Sequence, residues 1–235
     1  LRSLVGSEMC IRDRPEIHFI HPPAKETAMK DLVTRMQAQL KALAQKYPAA
    51  AEELGMNFEL NAGAREADFA KLEQTLGYAL PEEFKELYRV ANGEPDIDGV
   101  FAGDEWLSID RIIDEYAVWK DLYDDGSFQE DDGTDYGCEP EDAGIKADFW
   151  WNPKWIPLSA DGGGNGKMID LDPAPSGTAG QIIQMWHDDA AREKEANSLR
   201  EFLQNYVQDL EAGRYVLDAD YGVILQSELD DLNAE

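Results

Sequence analysis

The chain has 235 residues, 43% of them hydrophobic and 10% aromatic, enough to bury a core as one large domain or two small ones and too many for a wholly disordered chain. Twenty-one Lys and Arg face 49 Asp and Glu, a net charge of −28. That balance argues against docking on nucleic-acid phosphates or anionic lipid and favours a basic protein partner. No run approaches the ~20 apolar residues of a membrane-crossing helix.

The first segment, Leu1–Arg14, has no helical or strand period and lacks the apolar core of a secretory signal. It resembles translated sequencing-adaptor sequence. We expect Leu1–Arg14 to be foreign to the fold and residues 1–28 as a whole to be a non-native or disordered leader, and read Met29 as the native start. Without that leader Cys138 stands alone, which fits a reducing compartment, the cytoplasm.

Leu32, Met36, Leu40, Leu43 and Tyr47 form one helical stripe, broken at Pro48; a further turn ends at Gly55. Phe69, Leu72 and Leu76 mark a second helix, stopped by Gly77. Pro81 suits the first position of a third, with Phe84, Leu87, Tyr88 and Ala91 inward and Asn92-Gly93 as its left-handed exit. Ser108 can cap a fourth, which carries Ile109, Ile112, Ile113, Tyr116, Trp119 and Tyr123.

Between Glu94 and Asp148 lie 19 acidic and three basic residues, a net of −16. Clustered like charge destabilises a compact state, so this stretch is not a stability device. Within it, 124–148 has almost no apolar pattern and reads as a long mobile insertion. Aromatic density returns at Phe149-Trp150-Trp151. Residues 155–159, 167–171 and 181–186 read as three strands of an antiparallel meander, with Pro157 demanding an edge or a bulge. A last helix opens on the capping box Ser198-Leu199-Arg200-Glu201 and buries Leu199, Phe202, Leu203, Tyr206, Val207 and Leu210. From Gln226 the polar tail is expected to fray.

Catalytic patterns fail on spacing. Gly162–Lys167 lacks the first glycine and the hydroxyl residue of a phosphate loop, and Asp161 repels phosphate. Residues 121–132 imitate a calcium loop with Tyr123 at its third position and Asp132 at its twelfth. His187 is the one histidine outside the leader. Asp170 and Asp172 share a strand face, but Pro173 follows them, so a turn cap is the better reading. We expect no cofactor, no metal and no catalytic residue.

The ordered set Leu80-Pro81-Glu82-Glu83-Phe84, Asn92-Gly93, Trp155-Ile156-Pro157, Asp161-Gly162, Ile169-Asp170-Leu171-Asp172, Pro175-Ser176-Gly177 and Gly180-Gln181-Ile182-Ile183 resembles the SUKH superfamily, most closely its Smi/Knr cell-wall-assembly regulator branch. The resemblance covers residues 64–213. It implies an α+β fold with a curved antiparallel sheet flanked by helices and a non-enzymatic, protein-binding role. Bacterial members are immunity proteins that neutralise toxins; fungal members regulate glucan synthesis and wall signalling. The acidic stretch 124–148 is longer than the family usually carries, the helical segment 29–63 lies outside its core, and 214–235 is a C-terminal extension.

The charge fits an immunity protein that mimics the nucleic-acid substrate of a nuclease toxin, which is the leading expectation. Regulation of cell-wall assembly is the alternative. A hydrolase using Asp161, Asp170 or Asp172 with His187 is the remote one. A basic protein partner, with no nucleic acid and no membrane insertion, is expected to meet Glu130, Asp131, Asp132 and Asp135 on the insertion, Trp150 and Trp151 beside it, and Asp161 and His187 at the strand ends.

Overall fold

The computed structural model describes residues 28–234, so the expectations for the leader, Ala28 apart, lie outside the described residues. Helix α1 (Met29–Lys46) buries Leu32, Met36, Leu40 and Leu43 as their spacing predicts, joined by Met29 and Val33 from the adjoining row. Pro48 opens a separate α2 (Pro48–Leu54), which Gly55 ends. Helix α3 (Glu66–Leu76) and α4 (Glu82–Val90) follow.

Two details of this part differ from expectation. Pro81 is the N-cap of α4, in extended conformation, one residue ahead of the first helical position. Asn92-Gly93 is not the helix stop: Ala91 already turns extended and bridges Ala62. Gly93 is required by proximity instead. With φ at +68°, a Cβ on it would lie 2.5 Å from the backbone nitrogen of Ser108.

Strand β1 (Glu105–Trp106) leads into α5 (Ile109–Asp124), where the Ser108 hydroxyl accepts the Arg111 N–H as expected. After β2 (Glu139–Pro140) come β3 (Trp155–Pro157), β4 (Ser159–Ala160), β5 (Gly166–Asp170), β6 (Gln181–Met185), β7 (Ala191–Arg192) and β8 (Lys194–Ala196). The predicted meander is present and larger: β3, β5, β6 and β8 form a four-stranded antiparallel sheet in that order. Pro157 sits on its edge strand, where a missing N–H costs no ladder bond. The run 155–159 is not one strand. It breaks at Leu158, and β4 leaves to pair with β1.

Helix α6 (Leu199–Glu211) packs on β6 and β8, α1 packs on α6, and α4 touches both helices. Helix α5 lies against β3 and α3. The capping box of α6 is displaced: the Ser198 hydroxyl accepts the Glu201 N–H, but the Glu201 carboxylate reaches back to Asn197. The aromatic centre is polar-satisfied. Tyr88 stacks on Phe84 at 4.2 Å, accepts the Trp106 indole N–H and donates to the Leu107 carbonyl.

The tail does not fray where the sequence suggested. Strands β9 (Tyr215–Asp218) and β10 (Gly222–Leu225) form a hairpin, followed by α7 (Gln226–Leu232). The hairpin leans on α1 and α2 through β9, and Arg35 of α1 grips Glu211 with two bonds of 2.9 and 2.8 Å. The segments flanking 64–213 therefore pack on each other.

The acidic stretch 124–148 is also a correction. It is not a featureless loop, because Phe128, Cys138 and Ile145 are buried, Phe128 lies against Trp119, and β2 pairs in parallel with β7.

Candidate functional site

The concave feature with the richest chemistry is a groove of about 430 Å³ between the sheet and the C-terminal hairpin. Pleating places it. Lys167 of β5 and Gln184 of β6 are register partners on the same face, and Glu193 and Glu195 continue that face two residues apart, while the intervening Lys194 points away to Asp142. Tyr215, Leu225 and Glu228 supply the opposite wall. A smaller cavity of about 110 Å³ adjoins it and shares Lys167, Glu195 and Tyr215.

The groove is strongly anionic. Asp104, Asp161, Glu193, Glu195 and Glu228 line it, and Lys167 is its one basic residue. Lys167 is already neutralised: its ammonium lies 2.9 Å from Asp104, both side chains 14% exposed, and the Ser159 hydroxyl donates to the same carboxylate. Trp186 forms an aromatic border, its indole N–H fixed on Glu193 at 2.9 Å.

Several acceptors in the groove have no partner among the described residues. Gln184 as a residue is 7% exposed; its amide nitrogen donates to the Met185 carbonyl, and its Oε1 is not among the buried atoms left without a partner. The Tyr215 hydroxyl and the carboxylates of Glu195 and Glu228 are unpaired. Burial, together with the nearby negative charges of Asp209, Glu228 and Glu195, holds the Tyr215 phenol well above its ordinary value, so it is neutral.

The loop that brings Asp104 to the groove is held from beneath. Glu94 is buried and its carboxyl meets the backbone N–H groups of Gly99, Val100 and Trp106. Burial pushes it up to about 8, and the N–H groups of Val100 and Gly99 restrain the rise.

The residues expected from sequence fall into separate places. Asp161 and His187 come together through Asn165, whose N–H and side-chain amide bond Asp161 and whose carbonyl oxygen lies 2.9 Å from His187 Nδ1. Burial opposes ionisation of Asp161, but the bonds from Asn165 and Gly163 hold its carboxyl below the usual value. Gly164 is needed here, since at φ +106° a Cβ would press on the His187 ring at 3.1 Å.

Glu130, Asp131 and Asp132 are exposed at the tip of the insertion, where Asp132 caps the turn at Thr134. Asp135 is tied to the N–H groups of Gly137 and Trp150. Trp150 is half-buried beneath the Arg192 guanidinium, 5.2 Å from its ring centroid. Trp151 is a correction: it is fully buried and stacked on Trp119, so it presents no surface to a partner.

The carboxylate–histidine constellation does not assemble. Asp170 is buried at the far end of β5 from Asn165, about 16 Å along the strand, bonded to Gln181 and capping the Asp172 N–H. Asp172 instead pairs with Lys146. Cys138 is buried, and burial pushes its thiol up to about 11. Among the described residues no group of three or more His, Cys, Asp or Glu is placed to hold a metal ion.

Lys167, Gln184, Glu193, Glu195, Tyr215 and Glu228 were missed by sequence reasoning. The string Glu193-Lys194-Glu195 is too charged to read as a strand. Tyr215–Leu225, two short β-prone runs around Ala219-Asp220-Tyr221, did carry a hairpin signal.

The sequence model of the SMI1/KNR4 family (SUKH-1) matches residues 63–205, three-fifths of the chain. The chain belongs to the SMI1/KNR4 family. Among curated members, it is 28% identical to KNR4/SMI1 homolog 2 of Debaryomyces hansenii, aligned over 91% of this chain and 43% of that protein. It is 24% identical to the cell wall assembly regulator SMI1 of Saccharomyces cerevisiae, over 69% of this chain and 38% of that protein. It is also 24% identical to a glucan synthesis regulatory protein of Neurospora crassa, over 75% of this chain and 38% of that protein. The chain thus spans about two fifths of the length of these relatives. All three are fungal, and none is named an immunity protein. The family match covers the sheet walls of the groove; Tyr215, Leu225 and Glu228 lie beyond it. No helix among the described residues is long and apolar enough to cross a membrane.

Proposed function

We propose that this chain is a protein-binding regulatory module of the cell-wall-assembly type. The observation that carries the reading is its membership of a family whose matched members are named as regulators of wall assembly or glucan synthesis. It reverses the order of expectation reached from charge, since no matched relative supports neutralisation of a toxin. The module acts by binding rather than catalysis, a reading supported by the separation of Asp170 from Asp161 and His187. Residues 64–213 with their flanking segments form the binding unit, in a reducing compartment suited to Cys138, buried and free among the described residues. The net charge of −28 supports a basic protein partner over nucleic acid.

The test is a chimera. This chain replaces the aligned stretch of the S. cerevisiae regulator in cells that lack it. Restored resistance to a wall-binding dye is expected. A chimera expressed at normal level that leaves the cells as sensitive as the deletion overturns the reading.

A further inference from the structure

We propose that the face carrying Leu54, Met56, Ile97 and Tyr221 docks a folded protein partner through an apolar patch rimmed by lysine or arginine. The proposal deepens the protein-binding reading above and rests on it.

Three segments distant in sequence meet at this face. Asp98 accepts the N–H groups of Asn57 and Phe58, which ties the loop carrying Ile97 to the chain just after Met56. A Cβ on Gly222 would lie 3.4 Å from the Met56 methyl carbon, so the hairpin turn carrying Tyr221 abuts the same residue. The loop and the hairpin also meet directly, since a Cβ on Gly103 would lie 3.8 Å from the Tyr221 carbonyl oxygen. Ile97 is 72% exposed and Tyr221 49%, and Leu54 is exposed beside them. Single exposed apolar residues are ordinary on a protein surface, whereas a cluster of them marks an interaction site.

The loop is held rigid while it presents this side chain to water. Its apex, Pro95-Asp96-Ile97, is exposed, and the Asp98 N–H closes on the Asp96 carbonyl in a three-residue turn centred on Ile97. The carboxylates of Glu94 and Asp98, both buried, take up backbone N–H groups on either side of that apex. The Tyr206 hydroxyl donates to the Val100 carbonyl and accepts the Ala102 N–H. Phe58 and Ala102 sit at φ +54° and +55°, the two non-glycine residues with positive φ among the described residues. Buried carboxylates and left-handed residues both cost free energy. Holding Asp104 at the groove accounts for the bonds of Glu94 and Tyr206 but not for those of Asp98, which fix the apex. A rigid loop that holds an isoleucine in solvent spares a partner the entropy of ordering it, and this is what an interface anchor requires.

Charge selects the occupant. Glu52, Glu53, Asp96 and Asp220 are exposed beside the apolar residues, and segments 52–56, 95–97 and 218–222 contain no Lys or Arg. A complementary surface is therefore apolar at its centre and basic at its rim. Anionic lipid is repelled by the same carboxylates, and so is a second copy of a chain with net charge −28.

The test pans a phage library of a small β-sandwich scaffold with one randomised face on the full chain. Most independent binders should weaken about tenfold or more on Ile97→Ser with Tyr221→Ser. They should change less than twofold on Val118→Ser with Leu122→Ser, a matched pair of exposed apolar residues on α5. Neither double variant should move Tm by more than about 1–2 °C, because all four side chains are exposed. Lys and Arg should be enriched in the selected faces. Binders that ignore the Ile97 variant, depend equally on the α5 variant or lack basic enrichment overturn the proposal. Adsorption to phosphatidylcholine vesicles or self-association, if abolished by Ile97→Ser, overturns it in favour of a lipid surface or a second copy. The chimera separates the two readings: rescue without convergence of binders on this face removes only the docking surface, and convergence without rescue removes only the regulatory role.

Discussion

The protein has two acidic regions, and they are built differently. In the insertion the carboxylates are spent locally: Asp125, Asp132 and Asp135 each accept backbone N–H groups two residues ahead, and the tip residues Glu130 and Asp131 stand in open solvent. In the groove Glu195, Glu228 and the Gln184 carbonyl have no internal partner and face a concavity bordered by rings. The insertion holds the greater share of charge, carried on a convex tip, whereas Glu195 and Glu228, also exposed, stand at the rim of a concavity. A count of acidic residues therefore does not by itself locate a concavity.

The largest expected effect tests whether the insertion is fastened. Phe128→Ala removes its buried anchor on Trp119 and should cost about 3 kcal/mol in urea unfolding. A loss under about 1 kcal/mol would return the stretch to an unanchored loop.

Next is the groove's internal ion pair. Asp104→Asn leaves the largely buried Lys167 without its counter-charge and weakens the Ser159 bond, a cost of about 2–3 kcal/mol. Adding Lys167→Met should recover most of it. Equal instability of the single and double variants would show that the pair does not support the groove.

The support of the groove should also depend on pH, unlike the insertion tip. Glu94 has a folded value raised to about 8 by burial, so the folded state keeps a proton that the unfolded chain has lost above the ordinary carboxylate range. Stability should fall as pH rises from about 5 to about 8, then level off. Asp170 and Glu115, both raised by burial, act in the same direction. Glu94→Gln should flatten the decline in Tm across that window. An unchanged slope would place the Glu94 proton elsewhere.

The smallest effect is at the insertion tip. Glu130→Gln with Asp131→Asn should leave Tm within about 1–2 °C. A larger shift would mean that these carboxylates support the fold after all.

What the sequence determined by itself was local. The stripes of α1, α3, α5 and α6, the Ser108 and Ser198 caps and the stops at Gly55 and Gly77 were legible, because helical period and end chemistry involve residues within a few positions. The β5–β6 ladder was legible as two β-prone runs that follow one another in sequence, joined by the turn-rich segment 171–180. The tertiary structure decided everything that depends on distant partners. Asp98 reaches the N–H groups of Asn57 and Phe58, holding Phe58 at φ +54°. Trp151 went into the core and Trp186 to the border of the groove, although each lies within a few residues of a strand of the same sheet. The groove draws on residues from 102 to 228, and no periodicity encodes which of their acceptors end without a partner. That depends on which strand faces the closing hairpin covers, a contact between segments separated by more than a hundred residues.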